Sequence, residues 1–236
     1  MIEKIANNIY LIKYNNKLLQ PNIGVLISDN GTVLIDAGNS KMHHDIIIND
    51  LKEINAPKIK YIIYTHHHWD HSFASCYYKD VKFIAGDKTA ANLREYKKIN
   101  WSKEYLENDM VLNPIYSRSH RIKLKVFQNW DDFSIIDPDI VFINDMCLKL
   151  GEIKLRIYIS NSVHSDDCYF IEDINNKVIF TGDGIYHPPF SKINIKEKFD
   201  KNIVNELLKT NNKLFIHSHG EILDIDNLSF YLKYEN

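Results

Sequence analysis

The distribution of hydrophobic and polar positions along this chain predicts a mixed α/β fold. Three short runs rich in β-branched residues, at 8–14, 22–28 and 31–38, each predict a strand. The Asn-Gly step at Asn30–Gly31 joins the second and third runs and predicts a hairpin. The first third of the chain is therefore expected to alternate strands and turns.

A helix and a buried strand are predicted next. The apolar residues of 41–55 share one helical face: Ile46, Ile47, Leu51 and Ile54. The apolar run 58–65 predicts a buried strand, and a histidine-rich stretch begins where it ends. Chemistry at the carboxyl end of a strand is common in layered α/β folds.

The middle of the chain, 87–146, has a less regular pattern. Helices are predicted at 87–99 and 101–112, whereas 116–142 predicts a mixture of short strands and loops. The basic stretch RSHRIKLK (118–125) is interpreted as a loop that runs into a strand with an exposed basic face.

The second half of the chain returns to strands and turns. The predicted elements are a hairpin at 147–160 around Gly151–Glu152, a hairpin at 168–183 around Asn175–Asn176, a helix near 197–210 and a strand at 213–218. The absence of an internal repeat or low-complexity linker predicts a single domain over 1–236, with 87–146 as an insert.

Composition excludes several classes of function. Hydrophobic residues make up 44% of the chain and charged residues 25%, with a net charge of −2, so nothing global favours nucleic acid or an anionic membrane. No run is long and apolar enough for a membrane span, and the first 16 residues do not resemble a signal peptide. The three cysteines lie far apart, which argues against a disulfide framework. A cytoplasmic location is expected.

The stretch YTHHHWDH (64–71) is the strongest chemical signal. If the chain stays extended, alternate side chains point to one side: His66, His68 and Asp70. His71 would join them as the chain turns, and His67 would point away. Imidazole with carboxylate suits zinc, iron or manganese better than calcium or magnesium. The stretch therefore predicts part of a metal site.

Such a cluster needs further ligands from elsewhere in the chain. His164, Asp183 and His219 each lie beside an apolar β run, where a sheet edge could bring them into a shared cleft. A lone His or Asp at a strand end is more often a turn or capping residue. The cluster favours the ligand interpretation.

These motifs, in order, resemble the metallo-β-lactamase superfamily over nearly the whole chain. They are His66-x-His68-x-Asp70-His71, His164, Thr181-Gly182-Asp183 and His219-Gly220. Asp36, in VLIDAG, is similar to the residue on the family's strand that supports the metal loop. The resemblance implies an α/β fold: a four-layer αββα sandwich of two mixed sheets flanked by helices, with a metal site at one edge.

The resemblance also implies which residues hold two metal ions, expected to be Zn²⁺ with iron or manganese as alternatives. His66, His68 and His164 would hold one ion; Asp70, His71 and His219 would hold the other; and Asp183 would bridge them. A metal-bound hydroxide would be the nucleophile, and Asp70 would orient it.

Tyr186 is a second candidate catalytic residue. It follows Asp183 by three residues, a spacing similar to that of the tyrosine that supports the substrate's carbonyl oxygen in metallo-lactonases. The alternative is that its ring packs in a loop.

The expected function is hydrolysis of a small ester-like, thioester or lactone substrate. Asp183 stands where common β-lactamases of this fold have Cys, which favours a glyoxalase-II-like or lactonase-like branch over a true β-lactamase. His68 replaces the Glu of flavodiiron-type members, which favours zinc. A mononuclear iron oxidoreductase of the persulfide dioxygenase type and a nuclease of the same fold stay open as alternatives, and so does the oligomeric state, a homodimer included.

Aromatic residues are frequent in the predicted insert: Tyr96, Trp101, Tyr105, Tyr116 and Trp130. They are expected either to line a substrate pocket or to form the core of a small helical lid over the metal cleft.

Overall fold

Two mixed β-sheets form the centre of the computed structural model, which describes residues 2–188 and 198–233. The first sheet contains seven strands in sequence order: β1 (Ile2–Lys4), β2 (Ile9–Ile12), β3 (Ile23–Ser28), β4 (Gly31–Ile35), β5 (Ile59–Ile63), β6 (Lys82–Gly86) and β7 (Ile140–Phe142). Strands β1 to β4 pair antiparallel, and β4 to β7 pair parallel. The parallel part therefore directs several carboxyl strand ends to one edge.

The second sheet contains six strands in the order β13-β12-β11-β10-β9-β8. Their bounds are β8 (Met146–Leu150), β9 (Ile153–Ile159), β10 (Tyr169–Asp173), β11 (Val178–Gly182), β12 (Leu214–His217) and β13 (Leu223–Asp224). All neighbours pair antiparallel except β11 and β12, which are parallel.

Helices cover the outer faces of both sheets. They are α1 (Lys41–Glu53), α2 (Trp69–Ser72), α3 (Asp87–Lys97), α4 (Lys103–Leu112), α5 (Ser117–Val126), α6 (Lys201–Leu208) and α7 (Ile225–Phe230), with short 3₁₀ segments at Phe73–Tyr77 and Pro114–Tyr116. Residues of α1, α3 and α5 pack on the first sheet, and residues of α6 and α7 pack on the second. Among the described residues, no helix combines the length and the apolar character of a membrane span.

Side chains alternate between the two faces of each strand, and this alternation separates the central core from the outer layers. On β4, Val33 and Ile35 point into the core between the sheets, whereas Leu34 points to the helices of the outer layer. On β11, Val178 and Phe180 join the same central core. Each such side chain contributes about 1.5–3 kcal/mol when fully buried. The predicted four-layer αββα sandwich is confirmed.

The prediction of strands and loops over 116–142 was wrong at its start, because residues 117–126 form helix α5. The exposed face of this helix is basic: Arg118, Arg121 and Lys125. Its buried face includes His120 and Lys123 beside Val126, so polar residues hide the helical period from a search for apolar positions.

Smaller differences concern the ends and faces of helices. Ile46 was expected on the apolar face of α1 but is 37% exposed, and His43 and Asp50 are buried on that helix instead. The predicted helix near 197–210 is observed at 201–208, and residue 197 lies outside the described residues.

Candidate metal centre

The histidine-rich stretch leaves strand β5 and turns into a short helix. His66 and His68 follow the strand's end, whereas Asp70 and His71 lie on α2, which begins at Trp69. The expectation that residues 65–70 continue extended was therefore wrong. The helical turn, and not strand alternation, brings Asp70 and His71 beside the two preceding histidines.

The three distant candidates reach the same edge from the second sheet. Asp183 follows β11 directly, and His219 lies two residues beyond the end of β12. These strands are parallel neighbours, with Gly182 paired to His217, so both ends meet at one edge. His164 comes from the loop between β9 and β10.

One set of possible ligand atoms comprises His66, His68, His164 and Asp183. Nε2 of His164 lies 3.2 Å from Nδ1 of His68 and 3.4 Å from Oδ2 of Asp183. Nε2 of His66 lies 3.9 Å from the same carboxylate oxygen.

The second set comprises Asp70, His71, His219 and again Asp183. Nε2 of His219 lies 3.2 Å from Oδ2 of Asp70 and 3.5 Å from Oδ1 of Asp183. Nε2 of His71 lies 3.7 Å from both carboxylates. Asp183 therefore turns one oxygen to each set.

These separations suit metal coordination. Ligands at about 2.0–2.1 Å from a tetrahedral zinc ion lie roughly 3.3 Å apart. Nε2 of His66, Nε2 of His71 and Oδ1 of Asp183 are buried without a hydrogen-bond partner, a costly state unless a cation accepts their lone pairs. The residues thus fit two divalent ions that share Asp183.

The protonation states favour a cation as well. Burial, together with neighbouring imidazoles, lowers the pKa of His66 well below its usual range and that of His68 to about 3, so both rings are neutral. Burial opposes ionisation of Asp183, but the facing His219, His71 and His164 outweigh it and hold its pKa well below the usual range. These are the forms in which the residues bind metals.

His71 is oriented by a buried carboxylate. Its Nδ1 lies 2.7 Å from Oδ2 of Asp36, whose Oδ1 accepts the backbone N–H of Thr65 at 2.8 Å. Burial would lower the pKa of His71, but the facing aspartates Asp36, Asp70 and Asp183 raise it well above the usual range. Asp36 therefore fixes the ring so that Nε2 points into the centre.

Two further ligand candidates have comparable supports. Oγ1 of Thr65 lies 3.1 Å from Nδ1 of His66, and the backbone carbonyl of His187 lies 3.0 Å from Nδ1 of His164. In both rings Nε2 is left to face the centre.

Among the described residues, His67 lies outside both ligand sets. Asp167 accepts its backbone N–H at 2.9 Å, and both carboxylate oxygens lie 3.0 Å from its Nδ1. Sequence reasoning missed Asp167, although SDD after His164 places two acids there.

Tyr186 lies beside both ligand sets, and its hydroxyl contacts two residues of the second sheet's segment 217–219. The ring centroid lies 6.4 Å from that of His164 and 6.3 Å from that of His219. The hydroxyl contacts Nδ1 of His217 and accepts the backbone N–H of His219 at 3.1 Å. Burial raises the pKa of Tyr186 well above its usual range, so the phenol stays protonated. Sequence reasoning missed His217, whose only signal was its place two residues before a predicted ligand.

The insert packs against the metal-binding turn. The Tyr96 ring lies 5.1 Å from that of His67, and the Trp101 ring lies 4.9 Å from that of Phe73. Trp130 packs in the same outer core, Tyr105 contacts Trp101, and Tyr116 is exposed and stacks on His120.

Lys123 on α5 is an unexpected buried cation in this region. Lys123 is 3% exposed, and its ammonium lies 4.4 Å from the centre of the Trp69 ring. In the sequence, Trp69 stands between the ligand candidates His68 and Asp70. The Lys123 ammonium donates to Oγ of Ser119 at 2.8 Å. Burial lowers the pKa of Lys123 to about 7.

Comparison with known proteins agrees with this geometry. The model of the metallo-beta-lactamase superfamily matches residues 16–215. No curated protein matches the chain in sequence.

Solved structures share the fold at low sequence identity. A metallo-beta-lactamase from Pontibacter korlensis is 18% identical, with a TM-score of 0.67 over 100% of this chain and 99% of its own. A metallo-beta-lactamase from Hirschia baltica is 14% identical, with a TM-score of 0.62 over 100% and 99%. The sec-alkylsulfatase Pisa1 from Pseudomonas sp. is 15% identical, with a TM-score of 0.70 over 98% of this chain and 40% of its own.

Proposed function

The chain belongs to the metallo-beta-lactamase superfamily, and on that premise we propose that it is a dinuclear zinc hydrolase. We propose a small ester-like, thioester or lactone substrate, as in the glyoxalase-II-like and lactonase-like branch. The observation that carries the proposal is the pair of ligand sets that share Asp183. Two ions held there would supply a nucleophile from water at neutral pH and positive charge for the substrate's carbonyl oxygen.

Within this proposal, Asp70 orients the water that attacks the substrate. Oδ2 of Asp70 lies 3.2 Å from Nε2 of His219 and 3.7 Å from Nε2 of His71, and from this place its carboxylate would orient the attacking water as a hydrogen-bond acceptor. Burial raises the pKa of Asp70, but the charges of His71 and His219 outweigh it and lower the pKa. Asp70 is therefore ionised, as that role requires.

Other parts of the proposal rest on the sequence and on packing. We propose one domain whose insert, with its aromatic residues, acts as a lid over the cleft, because its helices pack against the metal-binding turn. We also propose a cytoplasmic location, since Cys76, Cys147 and Cys168 are all unpaired.

The proposal is tested by elemental analysis of the purified protein, followed by a panel of a neutral lactone, a thioester and a phosphodiester. We expect zinc at up to two ions per chain and hydrolysis of the lactone or thioester. Asp70→Ala and His164→Ala should abolish hydrolysis while circular dichroism keeps the wild-type spectrum. His44→Ala, on α1 and outside both sets, is the matched control and should keep full activity.

Three outcomes would contradict the proposal. The first is less than one transition metal per chain with no activity restored by added zinc. The second is wild-type turnover in either ligand variant, which would show that the site is misassigned. The third is iron with oxygen consumption on a persulfide, which would favour the oxidoreductase class instead.

A further inference from the structure

The hydroxyl of Tyr186 is held between two groups of the segment that carries His219. It accepts the backbone N–H of His219 at 3.1 Å and contacts Nδ1 of His217. His217 is 3% exposed, so its ring is buried. An imidazole offers one ring nitrogen as a hydrogen-bond acceptor, and Nδ1 is the ring nitrogen of His217 that faces the Tyr186 hydroxyl.

The proton of the phenol follows from this arrangement. Because the Tyr186 oxygen accepts an N–H from His219, its own proton is free to be donated, and Nδ1 of His217 lies within hydrogen-bond distance. A hydroxyl has one proton. While Tyr186 donates it to His217, the phenol has none for an oxyanion on the substrate.

The same loop is fixed from the first sheet. Nδ2 of Asn22 donates to the carbonyl of His217 at 2.7 Å and to the carbonyl of Gly220 at 2.8 Å, while its backbone N–H donates to the carbonyl of Ser218 at 2.7 Å. A Cβ on Gly220 would lie 2.3 Å from the His217 ring, so the loop closes tightly around that ring. Among the described residues, the backbone N–H of His219 donates only to the Tyr186 hydroxyl.

We propose that Tyr186 and His217 form a positioning pair for His219, so that Tyr186 acts on the metal centre through the His219 backbone and not through a contact with substrate. This inference rests on the proposed function and assigns Tyr186 a role different from the oxyanion support that the resemblance predicted. The pair holds the loop at the distance from which Nε2 of His219 faces Asp70 and Asp183, 3.2 and 3.5 Å away. Loss of either partner loosens one ligand of the second set and leaves the first set intact.

The test measures zinc affinity and hydrolysis in parallel on the full chain. Zinc is titrated against a chromogenic chelator for wild type, Tyr186→Phe, His217→Ala and the double variant. We expect Tyr186→Phe and His217→Ala each to lower the affinity for the more weakly bound zinc ion by about 10–100-fold, the range for groups that orient metal ligands. The double variant should be no worse than Tyr186→Phe, because His217 acts on His219 only by way of the Tyr186 hydroxyl.

Conservative and remote variants separate positioning from a general loss of structure. His217→Asn keeps an acceptor near the position of Nδ1 and should restore most of the zinc affinity lost in His217→Ala. Tyr158→Phe removes a phenol hydroxyl on β9, outside the centre, and should change neither affinity nor turnover. Excess zinc should restore the kcat of Tyr186→Phe, since the ligand itself is still present.

A substrate-contacting Tyr186 gives the opposite pattern. Tyr186→Phe would then lower kcat by about 10²–10³-fold with unchanged zinc affinity and no recovery in excess zinc, and His217→Ala would be silent. That result overturns the positioning pair but leaves the hydrolase intact. If wild type binds zinc and the variants weaken it, yet no substrate is hydrolysed, the pair stands and the proposed function fails.

Discussion

Replacement of Lys123 by Met is expected to stabilise the metal-free protein at neutral pH. The side chain of Lys123 is buried in the insert against the faces of Trp69 and Trp101, and its ammonium donates a hydrogen bond to Oγ of Ser119. Burial lowers its pKa from 10.5 to about 7. A charged amine is therefore more costly in the folded chain than in the unfolded chain.

The magnitude follows from the two pKa values. With a pKa of 10.5 in the unfolded chain and about 7 in the folded chain, burial of the Lys123 amine lowers the free energy of unfolding at pH 7 by about 4 kcal/mol. Methionine has a similar length but loses about 1 kcal/mol for the hydrogen bond to Ser119 and about 1 kcal/mol for the cation–π contact with Trp69. Lys123→Met should therefore gain about 2 kcal/mol in free energy of unfolding at pH 7.

The stability gained by Lys123→Met should decrease as the pH rises. Between about pH 7 and 10.5 the unfolded chain binds the Lys123 proton and the folded chain does not, so wild-type stability rises with pH through this window. The advantage of Lys123→Met should shrink by about 3 kcal/mol between pH 7 and pH 10. Other groups that titrate there contribute equally to both proteins.

Urea unfolding at pH 6 to 10 in the presence of a chelator measures this difference. The chelator keeps both proteins metal-free, so that metal release does not contribute to either unfolding curve. Lys125→Met, an exposed lysine on the same helix, is the matched control and should differ from wild type by a constant amount within about 0.5 kcal/mol. A flat difference between wild type and Lys123→Met, or a variant less stable at pH 7, would refute the reasoning and imply that the amine has a counter-ion.

Three further predictions concern the metal centre and its support. Asp36→Asn should weaken zinc in the set that contains His71 by about 10–100-fold in a chelator titration, because it loses the carboxylate that orients that ring; unchanged affinity would count against this. Gly182→Ala should lower the free energy of unfolding by at least about 2 kcal/mol in urea, since Gly182 has φ +53° and a Cβ there would lie 2.5 Å from Oγ1 of Thr65; a neutral variant would contradict the assigned backbone. Zinc retained after dialysis should decrease as the pH is lowered, because protons compete with the ion for the His71 ring, whose pKa the facing aspartates raise in the metal-free chain; pH-independent retention would contradict His71 as a ligand.

Local patterns sufficed for the strands and for the ligand candidates. The apolar runs that predict β3, β4 and β5 begin within one residue of the observed strands and end within three, because an apolar composition directly indicates side chains that a strand buries. Helix α5 escaped prediction because its buried face carries His120 and Lys123, whose burial depends on partners from other elements.

By itself, the sequence determined which residues could bind metals and the order in which strands would bring them to an edge. The types of ligand residue and the ends of strands are local properties, and they can be predicted from the sequence alone. Only the tertiary structure decided that Asp167 contacts His67 and that His217 contacts the Tyr186 hydroxyl. These two pairs join residues 100 and 31 positions apart, and contact at such separations is set by packing of the whole chain and not by any local pattern.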